Sequence, residues 1–200
     1  MRKKSHISLA KYIVDSLEEQ ELQKHKKAFY LGSILPDCKP SFITVKHEME
    51  GTFPKVQREL EELVERQRNS QINMRVFYRN LGEVIHYIAD YFTFPHNPHY
   101  PGNLKDHCIY EEQLKRGLKE YIASGEAERN SQWIRFSVTN LNSTTDICNF
   151  IRKAHETYVK LKNSVEDDCR HIVTLCHQVV VAVIRLIKRD TAPEITAAAS

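Results

Sequence analysis

Apolar residues recur every three to four positions along most of the chain, the spacing that gathers them on one face of an α-helix. Ile7, Ala10, Val14 and Leu17 mark a first helix starting near Ser5. A second, short helix is predicted from about Lys26 to Ser33 and stops at Pro36. Residues 37–52 read as a loop punctuated by Pro40 and Gly51. Pro54 suits a first helical position, and Val56, Leu60, Leu63 and Val64 give the stripe of the helix behind it.

The clearest stripe, Phe77, Leu81, Val84, Ile85 and Ile88, predicts a long helix over about 72–91 that ends before Pro95. Pro98, Pro101 and Gly102 keep 96–103 out of helix, and another helix is expected over 104–121. After a polar stretch at 124–140, Ser143 with Asp146 caps a helix through Tyr158. Ser164 with Asp167 does the same for a final helix to about Lys188. The fold class that follows is all-α: a single-domain bundle of about seven helices over 1–189, then a disordered tail over 190–200.

Composition narrows this picture without overturning it. Six glycines and seven prolines are too few for a turn-dense β protein, and a net charge of +3 neither requires nor excludes an anionic partner. Five cysteines without CxxC spacing argue against a complete disulfide framework, so reduced thiols and a cytoplasmic chain are expected. Arg2, Lys3 and Lys4 resemble the start of a signal peptide, but Lys11, Asp15, Glu18 and Glu19 interrupt any apolar segment behind them. The run 172–187 contains His177, Gln178 and Arg185, reads as too short and polar for a bilayer, and is expected in the core.

The histidines change the picture most. There are ten, and five of them fall between His47 and His107, interleaved with acids. His86 and Asp90 stand four apart inside the most apolar helical stripe, so both side chains face inward. A buried carboxylate is costly unless it is paired or binds a metal. His107 and Glu111 repeat the spacing at the start of the next helix, and His96 lies between the two pairs. One such pair is a weak signal, because a hydrogen-bonded core histidine explains it. Two pairs on consecutive helices, joined by a third histidine, point to metal. Imidazole and carboxylate donors suit zinc, and also manganese or iron.

The stretch Leu81-Gly82-Glu83-Val84-Ile85-His86-Tyr87-Ile88-Ala89-Asp90, then Pro95-His96 and His107-x-x-x-Glu111, resembles the metal-binding core of the bacterial zinc-dependent phospholipase C family. Ser5-His6 before an amphipathic helix is similar to that family's N-terminal ligand segment, and Gly32 leading to Asp37, with His47 ten residues on, to its remaining ligand pair. The resemblance spans about 5–115. It implies a multinuclear site between helices with two or three Zn²⁺ ions. Asp37, His47, His86 and Asp90 would hold one, His96, His107 and Glu111 a second, and His6 a third, bridged to the first by Asp90.

The activity implied is hydrolysis of a phosphodiester by metal-activated hydroxide attacking phosphorus, with Asp37 as the catalytic base. The implied partner is a phospholipid or another small phosphodiester; peripheral membrane contact stays open, nucleic acid is less favoured, and oligomeric state is undetermined. In the resembled enzymes an N-terminal Trp completes the third site, whereas the only tryptophan here is Trp133. Met1, water or an unfilled site are the alternatives. Two rival functions remain: a zinc-dependent single-strand nuclease-like enzyme, and an inert protein whose ions only staple the bundle. Cys38 and Cys108 flank proposed ligands and read as thiolate donors or as small packing residues. His99 reads as a hydrogen-bond support for a ligand or as an exposed loop residue. Tyr91, Phe92 and Phe94 read as walls of a cleft or as core.

Overall fold

The computed structural model describes residues 1–39, 47–69, 73–129, 137–161 and 164–191. Among them run nine helices: α1 Lys3–Leu17, α2 Gln20–Lys24, α3 Lys26–Gly32, α4 Met49–Arg68, α5 Met74–Tyr91, α6 Leu104–Ala123, α7 Glu126–Arg129, α8 Thr144–Tyr158 and α9 Val165–Thr191. Two 3-10 turns, Pro36–Cys38 and Phe94–His96, interrupt the loops. No strand occurs among the described residues. The all-α bundle expected from periodicity is therefore what forms. The two extra helices, α2 and α7, are five and four residues long, too short to show an apolar repeat.

Helix α5 is the hub. Asn73 caps it, its side chain accepting from the Arg75 amide at 2.8 Å. From Leu81 to Tyr91 every residue is buried. α5 packs against α3, α4 and α9, while α9 also covers α6 and α8. One apolar cluster links these helices, with Ile13, Leu60, Phe77, Ile88, Leu118 and Val180 among its members.

The closest approach is between α3 and α5, and two glycines make it. A β-carbon on Gly32 would lie 1.8 Å from the Arg79 carbonyl oxygen, and one on Gly82 would lie 2.3 Å from that of Phe29. Backbone cannot yield as a flexible side chain can, so only hydrogen fits at either position. Gly82→Ala is expected to force the helices apart and cost about 3 kcal/mol or more, the upper end for overpacking. Thermal unfolding measures it, and an unchanged Tm would contradict the packing.

Three expectations need correction. Helix α4 begins at Met49, not at Pro54, which lies inside it. The proline's missing N–H leaves the Glu50 carbonyl without its helical donor, and Glu50 is exposed, so solvent can serve it. The final helix reaches Thr191, past Lys188; the rest of the expected tail, 192–200, lies outside the described residues, as do Ile72, the loop residues 40–46 and Trp133. Finally, Val165–Arg189 is long and apolar enough to cross a membrane by length and composition, contrary to the sequence reading. Of its most apolar window, 72% is buried against the other helices, which uses that apolar surface in the core.

Candidate metal centre

Every side chain singled out by the histidine–carboxylate pattern converges on one place. His6 comes from the second turn of α1, Asp37 from the 3-10 turn after α3, and His47 from the residue pair before α4. His86 and Asp90 occupy the last two turns of α5. His96 ends the second 3-10 turn, and His107 and Glu111 lie in the first two turns of α6. That last placement is set by a capping box. Asn103 accepts from the amides of Lys105 and Asp106, and Asp106 accepts from the Asn103 amide.

Asp90 sits at the centre, 1% exposed. Its Oδ2 is 2.9 Å from His47 Nδ1, 3.3 Å from His86 Nε2 and 4.0 Å from His96 Nδ1. Its Oδ1 is 3.3 Å from His6 Nε2 and accepts from the α-amino group of Met1 at 2.5 Å. That amine also lies 3.1 Å from His96 Nε2 and 3.2 Å from Glu111 Oε1. Asp37 Oδ1 stands 3.5 Å from His86 Nε2 and 4.0 Å from His47 Nδ1. Glu111 Oε1 lies 3.5 Å from His96 Nε2 and 3.3 Å from His107 Nε2. Three groups are compact enough for an ion: His6, Asp37 and His86; His47, His86 and Asp90; and His96, His107 and Glu111. The last coincides with the second set implied by the resemblance. The first two share His86, so His6 stands with Asp37 and His86 rather than apart from them.

The donor chemistry fits a cation. His86 Nδ1 is 2.8 Å from the Ser33 carbonyl oxygen, which can only accept, so Nδ1 carries a proton and, in the neutral ring, Nε2 presents a lone pair. Around that lone pair stand His47 Nδ1 at 3.1 Å and oxygens of Asp37 and Asp90. Imidazole nitrogens and carboxylate oxygens gathered this closely suit a cation among them. His6 adds to the case: its ring stacks on His86 at 3.9 Å, and both its nitrogens are buried without a hydrogen bond.

The electrostatics run the same way. Burial pushes the His6 imidazole down to about 3, helped by His86 beside it. Burial also lowers His96, with the Met1 amine adding to the effect. For Asp90 burial favours the neutral form, but the Met1 amine, His96 and His6 hold its carboxyl well below the usual range. Glu111 is held down against burial by its hydrogen bonds to His107 and His96. Burial raises Asp37. The directions at His6 and His96 favour neutral imidazoles and those at Asp90 and Glu111 ionised carboxylates, the forms in which each binds metal.

The centre opens into a cavity of about 1220 Å³ lined by Asp37, His47, His96, His107 and Glu111. Its lining also includes the basic Arg2, Lys3, Lys4 and Lys115, the acidic Glu48 and Glu50, and the apolar or aromatic Pro98, Tyr100 and Leu104. Other readings from the sequence resolve as follows. His99 is exposed. Cys38 and Cys108 are exposed rather than packed, because each lies at the protein surface of its turn or helix; all five cysteines are free thiols. Tyr91 and Phe92 are core, and Phe94 stacks edge-on with Tyr100 and Tyr110. His155 reaches no ligand, but its Nε2 lies 2.8 Å from Asn97 Oδ1.

Sequence reasoning missed three supports. The Ser33 carbonyl orients His86, and no side-chain pattern signals a backbone oxygen. Asn97 anchors the His96 loop by donating to the Tyr91 and Thr93 carbonyls. Asp168, on α9, accepts from the Phe94 amide. Comparison with curated proteins and with solved structures gives no match. A family model described as zinc dependent phospholipase C does match, over residues 5–165 of the 200. With the helical fold and the histidine–carboxylate clusters already in hand, that match settles the relationship: the chain belongs to the zinc-dependent phospholipase C family.

Proposed function

We propose that this chain is a zinc-dependent phosphodiesterase that hydrolyses a phospholipid or a similarly small phosphodiester. The observation that carries the reading is the convergence of five histidines and three carboxylates on one place, of which Asp37, His47, His96, His107 and Glu111 line the cavity. Asp37, His47, His86 and Asp90 would hold one ion, and His96, His107 and Glu111 a second. His6 would hold a third, with Asp90 in reach of it. Zinc bound there supplies Lewis acidity toward phosphoryl oxygens and a water acidic enough to ionise near neutral pH.

The chain's own residues supply the rest. Asp37 lines the cavity, and burial raises its carboxyl, so it suits taking a proton at Oδ1 or Oδ2 and passing it on. Arg2, Lys3, Lys4 and Lys115 draw a phosphate toward the cavity, and Tyr100 and Leu104 give glycerol and acyl carbons an apolar wall. Leu104, 80% exposed at the rim, suits contact with a lipid surface.

The test is a substrate panel: phospholipid vesicles, a chromogenic phosphodiester and a single-stranded oligonucleotide. Lipid hydrolysis releasing diacylglycerol is expected. Cleavage of the oligonucleotide alone would replace this reading with a nuclease, and no turnover by fully zinc-loaded protein would replace it with a structural site. Asp37→Asn keeps the size of the side chain but removes the base. It is expected to lower kcat about a hundredfold or more, the share ascribed to general acid–base catalysis.

A further inference from the structure

We infer that Asp168 is a positioning residue for the His96, His107 and Glu111 group, holding the two elements that carry it with a single carboxylate. This rests on the ligand assignment proposed above. Asp168 belongs to α9, which contributes no ligand, and lies just beyond the stretch that the family model matches. Its Oδ2 accepts from the Phe94 amide at 2.8 Å and from the Tyr110 hydroxyl at 2.9 Å. Its Oδ1 accepts from the Tyr158 hydroxyl at 2.6 Å.

The sequence positions of these donors are the point. Phe94 opens the 3-10 turn that ends at His96, and Pro95 fixes φ between them. The His96 amide bonds back to the Thr93 carbonyl at 2.9 Å, so the turn moves as a unit. Tyr110 immediately precedes Glu111 on α6. One oxygen atom therefore ties the His96 turn to the Glu111 helix, at the two places where a shift would separate the two ligands. Tyr158 holds the other oxygen and reaches neither element.

A folding role alone explains this residue poorly. Asp168 is fully buried, and its three donors are neutral groups rather than cations. Burying a carboxylate in that way is costly, and apolar side chains would fill the space more stably. The cost shows as a carboxyl pushed up to about 6 by burial. What the carboxylate provides and an apolar residue cannot is two directed bonds from one atom, the kind of outer support that orients metal ligands.

The experiment compares zinc affinity by chelator competition, and Tm, across the full-length protein and five variants. Asp168→Ala is expected to weaken one zinc by about ten- to a hundredfold, the usual effect of losing an outer support, while the other stays tight. Asp168→Asn keeps an oxygen for Phe94 and Tyr110 and is expected to restore that affinity. Tyr110→Phe and Tyr158→Phe each delete one hydroxyl bonded to the same carboxylate. Only Tyr110→Phe is expected to weaken zinc, with Tyr158→Phe within about twofold of wild type, as for an independent site. Leu60→Ala, a buried change on α4, should lower Tm and leave zinc unaffected.

If Asp168→Ala does not fold, the two tyrosine variants decide. Equal zinc loss in both, or unchanged affinity in Tyr110→Phe, would overturn the positioning role while leaving the metal centre intact. Wild-type protein that binds no stoichiometric zinc would overturn the functional reading, and the brace with it.

Discussion

Asp90→Ala is expected to abolish phosphodiester hydrolysis and to remove at least one zinc ion per chain, the largest effect of any single substitution. The reason is position. Asp90 lies within 4.0 Å of imidazoles from four elements: His6, His47, His86 and His96. Each of its oxygens faces a different subset, His6 on one side, His47 and His86 on the other. Removing it would open two of the proposed ion sites together. The loss should exceed the roughly hundredfold that follows from damaging an outer support.

A neutral replacement separates charge from shape. Asp90→Asn retains an oxygen but not the negative charge that the surrounding groups stabilise. It is expected to bind less zinc than wild type and more than Asp90→Ala. Circular dichroism checks that the helices persist in both. Full zinc content with full turnover in either variant would show that the ligands lie elsewhere.

The contrast with Asp37 sharpens this. Asp37 lies within 4.0 Å of His86 and His47 and faces the cavity. Its loss should reduce kcat more than zinc content, whereas Asp90 should reduce both together. Measuring the two quantities side by side distinguishes a base from a bridge.

How much of this was legible in the sequence depends on the distance over which each feature acts. Helix periodicity and capping are local, so α1, α4 and α5 could be read from their stripes, and α8 and α9 from their capping pairs. The pairs His86/Asp90 and His107/Glu111 are local too, since four residues make one helical turn. His6, Asp37 and His47 carry no such spacing and came only through resemblance to a family. What failed to show was either too short or too distant. α2 and α7 have too few residues to repeat. The start of α4 was misplaced because Pro54 is favoured at a helix start and, here, is tolerated one and a half turns in.

Long-range contacts left no trace at all. Gly32 and Gly82 look unremarkable in isolation, and only the crossing of α3 and α5 gives each its reason. Their contact also serves the site: Gly82 lies one turn before His86, and the closeness of the helices is what brings the Ser33 carbonyl to His86 Nδ1. Asp168 is hidden further still, with partners 74 and 58 residues away in Phe94 and Tyr110. A sequence offers no spacing rule for such a contact.

Removal of zinc should leave the protein helical but much easier to melt. The proposed ligands come from α1, α5, α6, two 3-10 turns and the residue pair before α4, so the ions would tie six segments of the chain together. α9 and α8 contribute none, and they share the apolar cluster with α4, α5 and α6. Stripping the ions therefore should not abolish the core. Each ion present at a hundred times its dissociation constant adds about 2.7 kcal/mol to stability, so two add about 5 kcal/mol. For a domain of this size that corresponds to a fall in Tm of about 10–20 °C.

The expected record is an unchanged helical spectrum at 20 °C, a Tm lowered by that amount after chelation, and recovery of both Tm and hydrolysis on adding zinc back. Hydrogen exchange should quicken around the His96 turn and the start of α6 before it quickens in α9, because the former gain order from the ions and the latter does not. A stripped protein with the wild-type Tm and undiminished turnover would mean that the clustered histidines and carboxylates neither hold the fold together nor catalyse.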